Sequence, residues 1–262
     1  MPFAPYNDCS IEYFVEGSGN GLVLIHGTGQ SAGNTWPEVV KYFAPTRRTV
    51  CPNYSGSGKT TDSGSALTVS LLAEQVLAAA DHAGVERFAV AGHSLGTCVA
   101  MHLAAHYPDR VEKVALLAGF ISAEDARSQL QFRMWKEMAD TNPRMLAEMF
   151  LFTAFSPRFV EAMTDRAIKA AVDEIYRSTD WKGASRQISL DLTLNMAQEA
   201  RMIQQPTLII GCQQDFIIPP SHTKALFGHM PHAEYREMNA GHGGVMEKPV
   251  EFINLLDSFL KQ

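Results

Sequence analysis

Hydrophobic positions in this chain fall into two patterns: short unbroken runs, and longer stretches in which apolar residues recur every three or four positions. Leu22-Val23-Leu24-Ile25 is a continuous run, as expected of a strand buried on both faces. Phe88 to Ala91, Val111 to Leu117 and Thr207 to Ile210 read the same way, with Thr49 to Pro52 and Glu234 to Met238 as weaker or shorter strands. Leu67 to Ala83 predicts a helix with Leu71, Leu72, Val76, Leu77 and Ala80 on one face. Further helices are predicted over Thr97 to His106, Ser221 to Phe227 and Pro249 to Leu260, the last with Phe252, Ile253, Leu256 and Phe259 on one side. Ser10 to Val15 alternates apolar with polar residues before the turn signal Glu16-Gly-Ser-Gly-Asn-Gly21, which predicts an opening strand and hairpin. Strands alternating with helices specify an α/β fold, with a mostly parallel central sheet covered on both faces.

Residues 120–203 break the alternation. The stretch is helical throughout, with expected starts near Ser122 and Pro143, and is rich in Met and aromatic residues such as Phe132, Trp135, Met149, Phe150 and Phe155. It reads as a helical cap inserted between two strands, which surface connections tolerate at low entropic cost. The expected organisation is a core domain of residues 1–119 and 204–262 with a cap over 120–203.

Composition narrows the function. The chain has 262 residues, 46% of them hydrophobic, enough for one large core with an inserted subdomain. A net charge of −6 without blocks of like charge excludes the usual electrostatics of nucleic-acid or anionic-membrane binding. Cys9, Cys51, Cys98 and Cys212 form no C-x-x-C pair and lie mostly within or beside apolar runs, as buried free thiols do. With no leader-like or membrane-length apolar segment, the expectation is a reduced, cytoplasmic protein. Its partner would be a small molecule, and homo-oligomerisation is left open.

The candidate chemistry centres on Gly92-His93-Ser94-Leu95-Gly96, a G-x-S-x-G sequence lying between a predicted strand and a predicted helix. That context puts a serine hydroxyl at the apex of a strained strand-to-helix turn, with the positive end of a helix dipole behind it. A serine needs a base, and the base needs an orienting group. Of nine histidines, His82, His102 and His106 lie on helices, where surface or packing roles are the default, and His222 begins one. His229 and His232 flank a turn, His93 points away from its neighbour by alternation, and His26 is better read as structural. His242 remains, in the small-residue loop Asn239-Ala-Gly-His-Gly-Gly244 before the last helix. Asp215, just past the strand ending at Ile210, is the candidate acid, because open parallel sheets place their sites at strand carboxyl ends. Asn53 to Thr60 ends like a phosphate-binding loop, but Asn53 stands where that pattern requires glycine. No cluster with metal-ligand spacing stands out, and no cofactor is implied.

With these residues in place, the chain resembles an α/β-hydrolase over nearly its whole length. The landmarks are Leu24-Ile-His-Gly27, Gly92-His-Ser-Leu-Gly96, the Gly211 to Asp215 segment, and Ala240-Gly-His242 followed by Glu247-Lys-Pro249. The order Ser94, Asp215, His242 is that of this fold. The resemblance implies an oxyanion hole made by the backbone N–H groups of Leu95 and Thr28, with Trp36 packed beside the loop. Asn53 and Tyr54 depart from the Asp that relatives carry before a Gly-x-Gly turn. The expected activity is hydrolysis of an ester, lactone or thioester with an apolar acyl part, roofed by cap residues such as Trp135 and Phe150. Other chemistry on the same triad (C–C bond hydrolysis, cyanohydrin cleavage, perhydrolysis) and a slow-turnover ligand receptor remain open at this stage.

Overall fold

A computed structural model describes residues 1–262. The strands are β1 (Phe3–Tyr6), β2 (Cys9–Glu16), β3 (Asn20–Ile25), β4 (Arg47–Pro52), β5 (Phe88–His93), β6 (Val111–Leu117), β7 (Thr207–Cys212) and β8 (Glu234–Met238). Between β3 and β4 run α1 (Ala32–Thr35) and α2 (Pro37–Phe43); α3 (Val69–His82) precedes β5 and α4 (Leu95–His106) follows it. Six helices separate β6 from β7: α5 (Ala126–Thr141), α6 (Pro143–Ala154), α7 (Pro157–Glu161), α8 (Asp165–Ser178), α9 (Trp181–Asp191) and α10 (Ala197–Met202). The chain closes with α11 (Pro220–His229), α12 (Gly244–Glu247) and α13 (Pro249–Leu260).

The sheet order is β1-β2-β4-β3-β5-β6-β7-β8, and from β4 onward every pair is parallel. Side chains alternate across a strand, and the apolar runs split accordingly. Val23 and Ile25 join one core cluster with α3 and α4, while Leu22 and Leu24 join the other with α2 and α13. A strand shared between two cores must be apolar at every position, which accounts for the continuous runs.

The opening hairpin differs from the sequence expectation. It is formed by β1 and β2, closing between Tyr6 and Cys9. The glycine-rich turn after Glu16 does reverse the chain, but β4 inserts between β2 and β3, pairing Val15 with Val50 and Leu22 with Thr49. A turn signal marks a reversal without naming the edge partner. Trp36 is fully buried with its ring 5.9 Å from that of Phe252 on α13.

The helical stretch also starts later than expected. Asp125, not Ser122, caps α5, accepting from the amides of Arg127 and Ser128. Ser122 instead bridges Asn195, and Met196 N–H donates to Ile121 O at 2.7 Å. The chain therefore meets itself there, so α5 to α9 extend from one short junction at the carboxyl end of the sheet, while α10 follows it and packs on α4.

Candidate active site

Chain order places β4 on one side of β3 and β5 on the other, so β3 and β5 leave a crevice between the loops at their carboxyl ends. Ser94 follows β5 with φ 54° and ψ −122°, a conformation rarely taken by a residue with a side chain. The turn tolerates it because the chain is very tight there: a Cβ on Gly92 would lie 2.2 Å from Gly96 O, and one on Gly96 would lie 2.3 Å from Ile25 O. The strained serine is held by its own amide, which donates to Leu117 O at 3.1 Å, and by Thr97, whose amide and hydroxyl both donate to Ser94 O. Ser94 occupies the N-cap position of α4, twelve residues long, so its hydroxyl sits at the positive end of a helix dipole.

The loop after β3 faces it. In this loop the amides of Gly27, Gly29 and Gln30 all have partners: Gln30 Oε1, Gln187 Oε1 and Gly27 O respectively. The amides of Thr28 and Leu95, which the family resemblance marks as an oxyanion hole, donate to no protein acceptor. Two buried groups stiffen the loop from below. His26 stacks on Tyr54 with ring centroids 4.2 Å apart, and the Tyr54 hydroxyl donates to His26 O at 2.8 Å. Burial pushes the His26 imidazole down to a pKa of about 4, so it is neutral. Asn53, one of the two departures from the relatives' pattern, accepts from Ala32 N–H at 2.7 Å and donates to Glu12 at 2.8 Å, tying the chain just after the loop to β2.

Asp215 and His242 come together from the loops after β7 and β8. Asp215 Oδ1 accepts from the amides of Ile217 and Ile218, both at 2.8 Å, and Oδ2 lies 2.8 Å from His242 Nδ1. The carboxylate is thus pinned by two backbone donors and accepts the Nδ1 proton of the imidazole, leaving Nε2 without a protein partner. His242 and Ser94 line the same cavity. His93 braces this histidine from behind, donating from Nε2 to His242 O at 2.9 Å, with ring centroids 4.9 Å apart. Burial holds His93 down at about 3, so it adds no charge beside His242. Glu247 ties the same loop to the chain after α6, accepting from Gly241 N–H and from the Ser156 amide and hydroxyl.

The cavity encloses about 330 Å³. Apart from Ser94, His242 and the β3 loop, its wall comes mainly from the helical stretch: Trp135, Phe150, Phe155, Phe159, Met163 and Ile175. Trp135 and Phe150 meet edge to face at 4.9 Å. Phe155, Phe159, Met163 and Ile175 were not singled out from the sequence as cavity residues: Phe155 and Met163 lie in connections between helices, and for Phe159 and Ile175 helical spacing looks the same whether a face packs on protein or lines a void.

The sequence also gave no notice of Gln187 and Asp191. They lie one turn apart on α9, and both are buried. Gln187 accepts from Gly29 N–H at 2.9 Å and donates to Ser55 O and Ser57 Oγ, while Asp191 Oδ2 accepts from Thr28 Oγ1 at 2.7 Å. Asp191 Oδ1 has no partner, and burial pushes the carboxyl up to about 7. Two polar residues at i and i+4 on an otherwise apolar helix face were the available signal, with no motif to attach them to the β3 loop.

Comparison with known proteins follows the same lines. A family model described as alpha/beta hydrolase fold matches residues 20–249. The chain is similar to a pyrrolizixenacetamide deacetylase from Xenorhabdus hominickii, 38% identical over 253 residues that cover 97% of this chain and 95% of that protein. It is also similar to a putative carbamate hydrolase RutD from Azorhizobium caulinodans, 22% identical over 92% of this chain and 91% of that one. Among solved structures, the enol-lactonase from Burkholderia xenovorans LB400 superposes with a TM-score of 0.90 at 22% identity, covering all of both chains. No helix is long and apolar enough to cross a membrane.

Proposed function

The chain belongs to the alpha/beta hydrolase fold family and is a hydrolase of ester or amide bonds; from that premise we propose that Ser94, His242 and Asp215 form its catalytic triad and act through an acyl-enzyme. His242 Nε2 takes the Ser94 proton as Oγ attacks the substrate carbonyl carbon. The amides of Leu95 and Thr28 stabilise the oxyanion, and Asp215 holds the imidazole in the tautomer with its proton on Nδ1. Collapse of the tetrahedral intermediate expels an alcohol, thiol or amine, which receives the proton from His242. Water, activated by the same imidazole, then releases the acid. The cycle uses no cofactor.

The observation that carries this reading is the pinned Asp215–His242 pair, at 2.8 Å, whose imidazole lines one cavity with a serine held at positive φ. The two free amides beside it support the oxyanion assignment. Residues 120–203 act as a cap whose aromatic wall, including Trp135 and Phe150, selects an apolar substrate part. In the first reading that part is the acyl group of an ester, lactone or thioester. The relative at 38% identity favours a second, in which a small acyl group is removed from an amide and the apolar cavity holds the amine side.

Intact-mass analysis after treatment with a serine-directed phosphonate tests the triad. Wild type should gain one adduct and Ser94→Ala none; an adduct on the alanine variant would overturn the assignment. A panel crossing acyl length with ester, thioester and acetamide linkage separates the two substrate readings, and multiple turnovers on any member exclude the receptor alternative.

A further inference from the structure

We propose that His102, His106 and Glu199 form a binding site for a divalent transition-metal cation of the zinc class, on the core and away from the catalytic cavity. His102 and His106 are one turn apart on α4, so their side chains share a face. Their rings lie 4.2 Å apart, centroid to centroid, and are inclined by 35°. Glu199, on α10, brings a carboxylate against both: its Oε1 is 3.7 Å from His102 Nδ1 and 3.9 Å from His106 Nε2. All three donor atoms lie within 4.8 Å of one another.

Those separations are too long for hydrogen bonds and suit a shared ion. Zinc holds imidazole nitrogen and carboxylate oxygen at about 2.0–2.2 Å in a tetrahedron, which sets the donors about 3.4 Å apart. Movements of a few tenths of an ångström bring the two carboxylate–imidazole separations to that value, and at most about 1.4 Å, within reach of side-chain rotation, closes the pair of imidazoles. Two imidazoles and one carboxylate are a donor set for zinc, cobalt or nickel, whereas calcium and magnesium favour all-oxygen sets. The surroundings suit binding as well. The His102 and Glu199 side chains are 13% and 20% exposed, and His106 at 39% leaves a path for the ion and room for a water as fourth ligand.

The ion would have a structural role. At about 1.5 Å per residue along a helix, His102 is roughly 12 Å along α4 from Ser94, beyond contact with substrate. α10 is the last helix before β7, so the ion ties the end of the helical stretch to the helix that carries the nucleophile. The two helices already pack on each other, Ala200 joining the core cluster that holds Leu103 and Ala104, and just beyond α10 Gln205 Nε2 donates to Ala104 O at 3.0 Å. The site does not depend on the proposed reaction.

Thermal unfolding of the metal-stripped protein in the presence of zinc chloride tests the proposal. An ion that binds only the folded state, at a hundredfold excess over its dissociation constant, shifts the folding equilibrium about 100-fold, which for a chain of this size reads as a rise in Tm of about 5–10 °C. The rise should be lost in His106→Ala and in Glu199→Gln, both changes at partly exposed side chains. Cobalt chloride should give the wild type a visible d–d absorption that zinc displaces, and that neither variant shows. No rise in the wild type, a rise retained by both variants, or a cobalt band unchanged by the substitutions would overturn the site.

Discussion

Replacing Asp191 by Asn should stabilise the protein relative to the wild type by an amount that grows as pH rises from about 4 to 7 and levels off above that. Asp191 is 2% exposed; one carboxyl oxygen accepts from the Thr28 hydroxyl and the other has no partner. Burial pushes its pKa from 3.8 up to about 7, against the pull of the Thr28 hydroxyl. The neighbouring Tyr54 phenol and Cys98 thiol are also pushed up by burial, so both stay protonated and neutral and leave the carboxyl without a charged partner. The sign follows from which state binds the proton more tightly. With the folded pKa above the unfolded one, the fold keeps its full stability below about pH 4 and loses it as pH rises through 7. Each pH unit in that window is worth about 1.4 kcal/mol, so from pH 5 to pH 8 this one group removes about 2–3 kcal/mol. Asn keeps the acceptor for Thr28 and is neutral throughout. Urea unfolding of both proteins at a series of pH values between 5 and 8 reads the difference directly, since the other titrating groups largely cancel in the pair. The gap should widen by about 2–3 kcal/mol across the series. A gap that stays flat, or narrows as pH rises, would refute the account of Asp191 as a buried, unpaired carboxyl.

The remaining predictions concern the catalytic and substrate assignments. Asp215→Asn should fold normally yet lose roughly 10³–10⁴ in kcat, because the imidazole loses its tautomer control; steady-state kinetics with circular dichroism checks this, and a loss under tenfold would remove Asp215 from the role. If the cap wall holds an acyl chain, each added CH₂ should improve kcat/KM by up to about fourfold until the cavity is full, from about 0.8 kcal/mol per buried methylene. Phe150→Ala should flatten that profile while rates on acetate esters barely change, and an unshifted profile would place Phe150 in packing alone. Trp135→Ala should do the same and also lower stability by about 3–5 kcal/mol, because its ring is 5% exposed and wedged between Phe132 and Phe150.

Much of this molecule was legible in its sequence because the physics is local. The runs at Leu22 to Ile25, Phe88 to Ala91 and Thr207 to Ile210 are apolar at every position, and only a strand covered on both faces requires that. The Gly92 and Gly96 positions flanking Ser94 likewise report a turn with no room for a Cβ. Asp215 and His242 were readable from their places after strands, since a parallel sheet delivers such loops to one edge. What the tertiary structure decided is which distant segments meet. The turn at Gly17 to Gly21 did not say that β4 would part β2 from β3, because strand partners are chosen by the whole sheet. Gln187 and Asp191 reach the β3 loop, and Glu199 reaches His102 and His106, across separations that no local pattern encodes. No local pattern places Phe155, Phe159 and Met163 at a void; only the packing of α5 to α9 against one another decided that they would line the cavity. Periodicity records that a face avoids water, and the identity of what covers it is set by contacts made after the chain has folded.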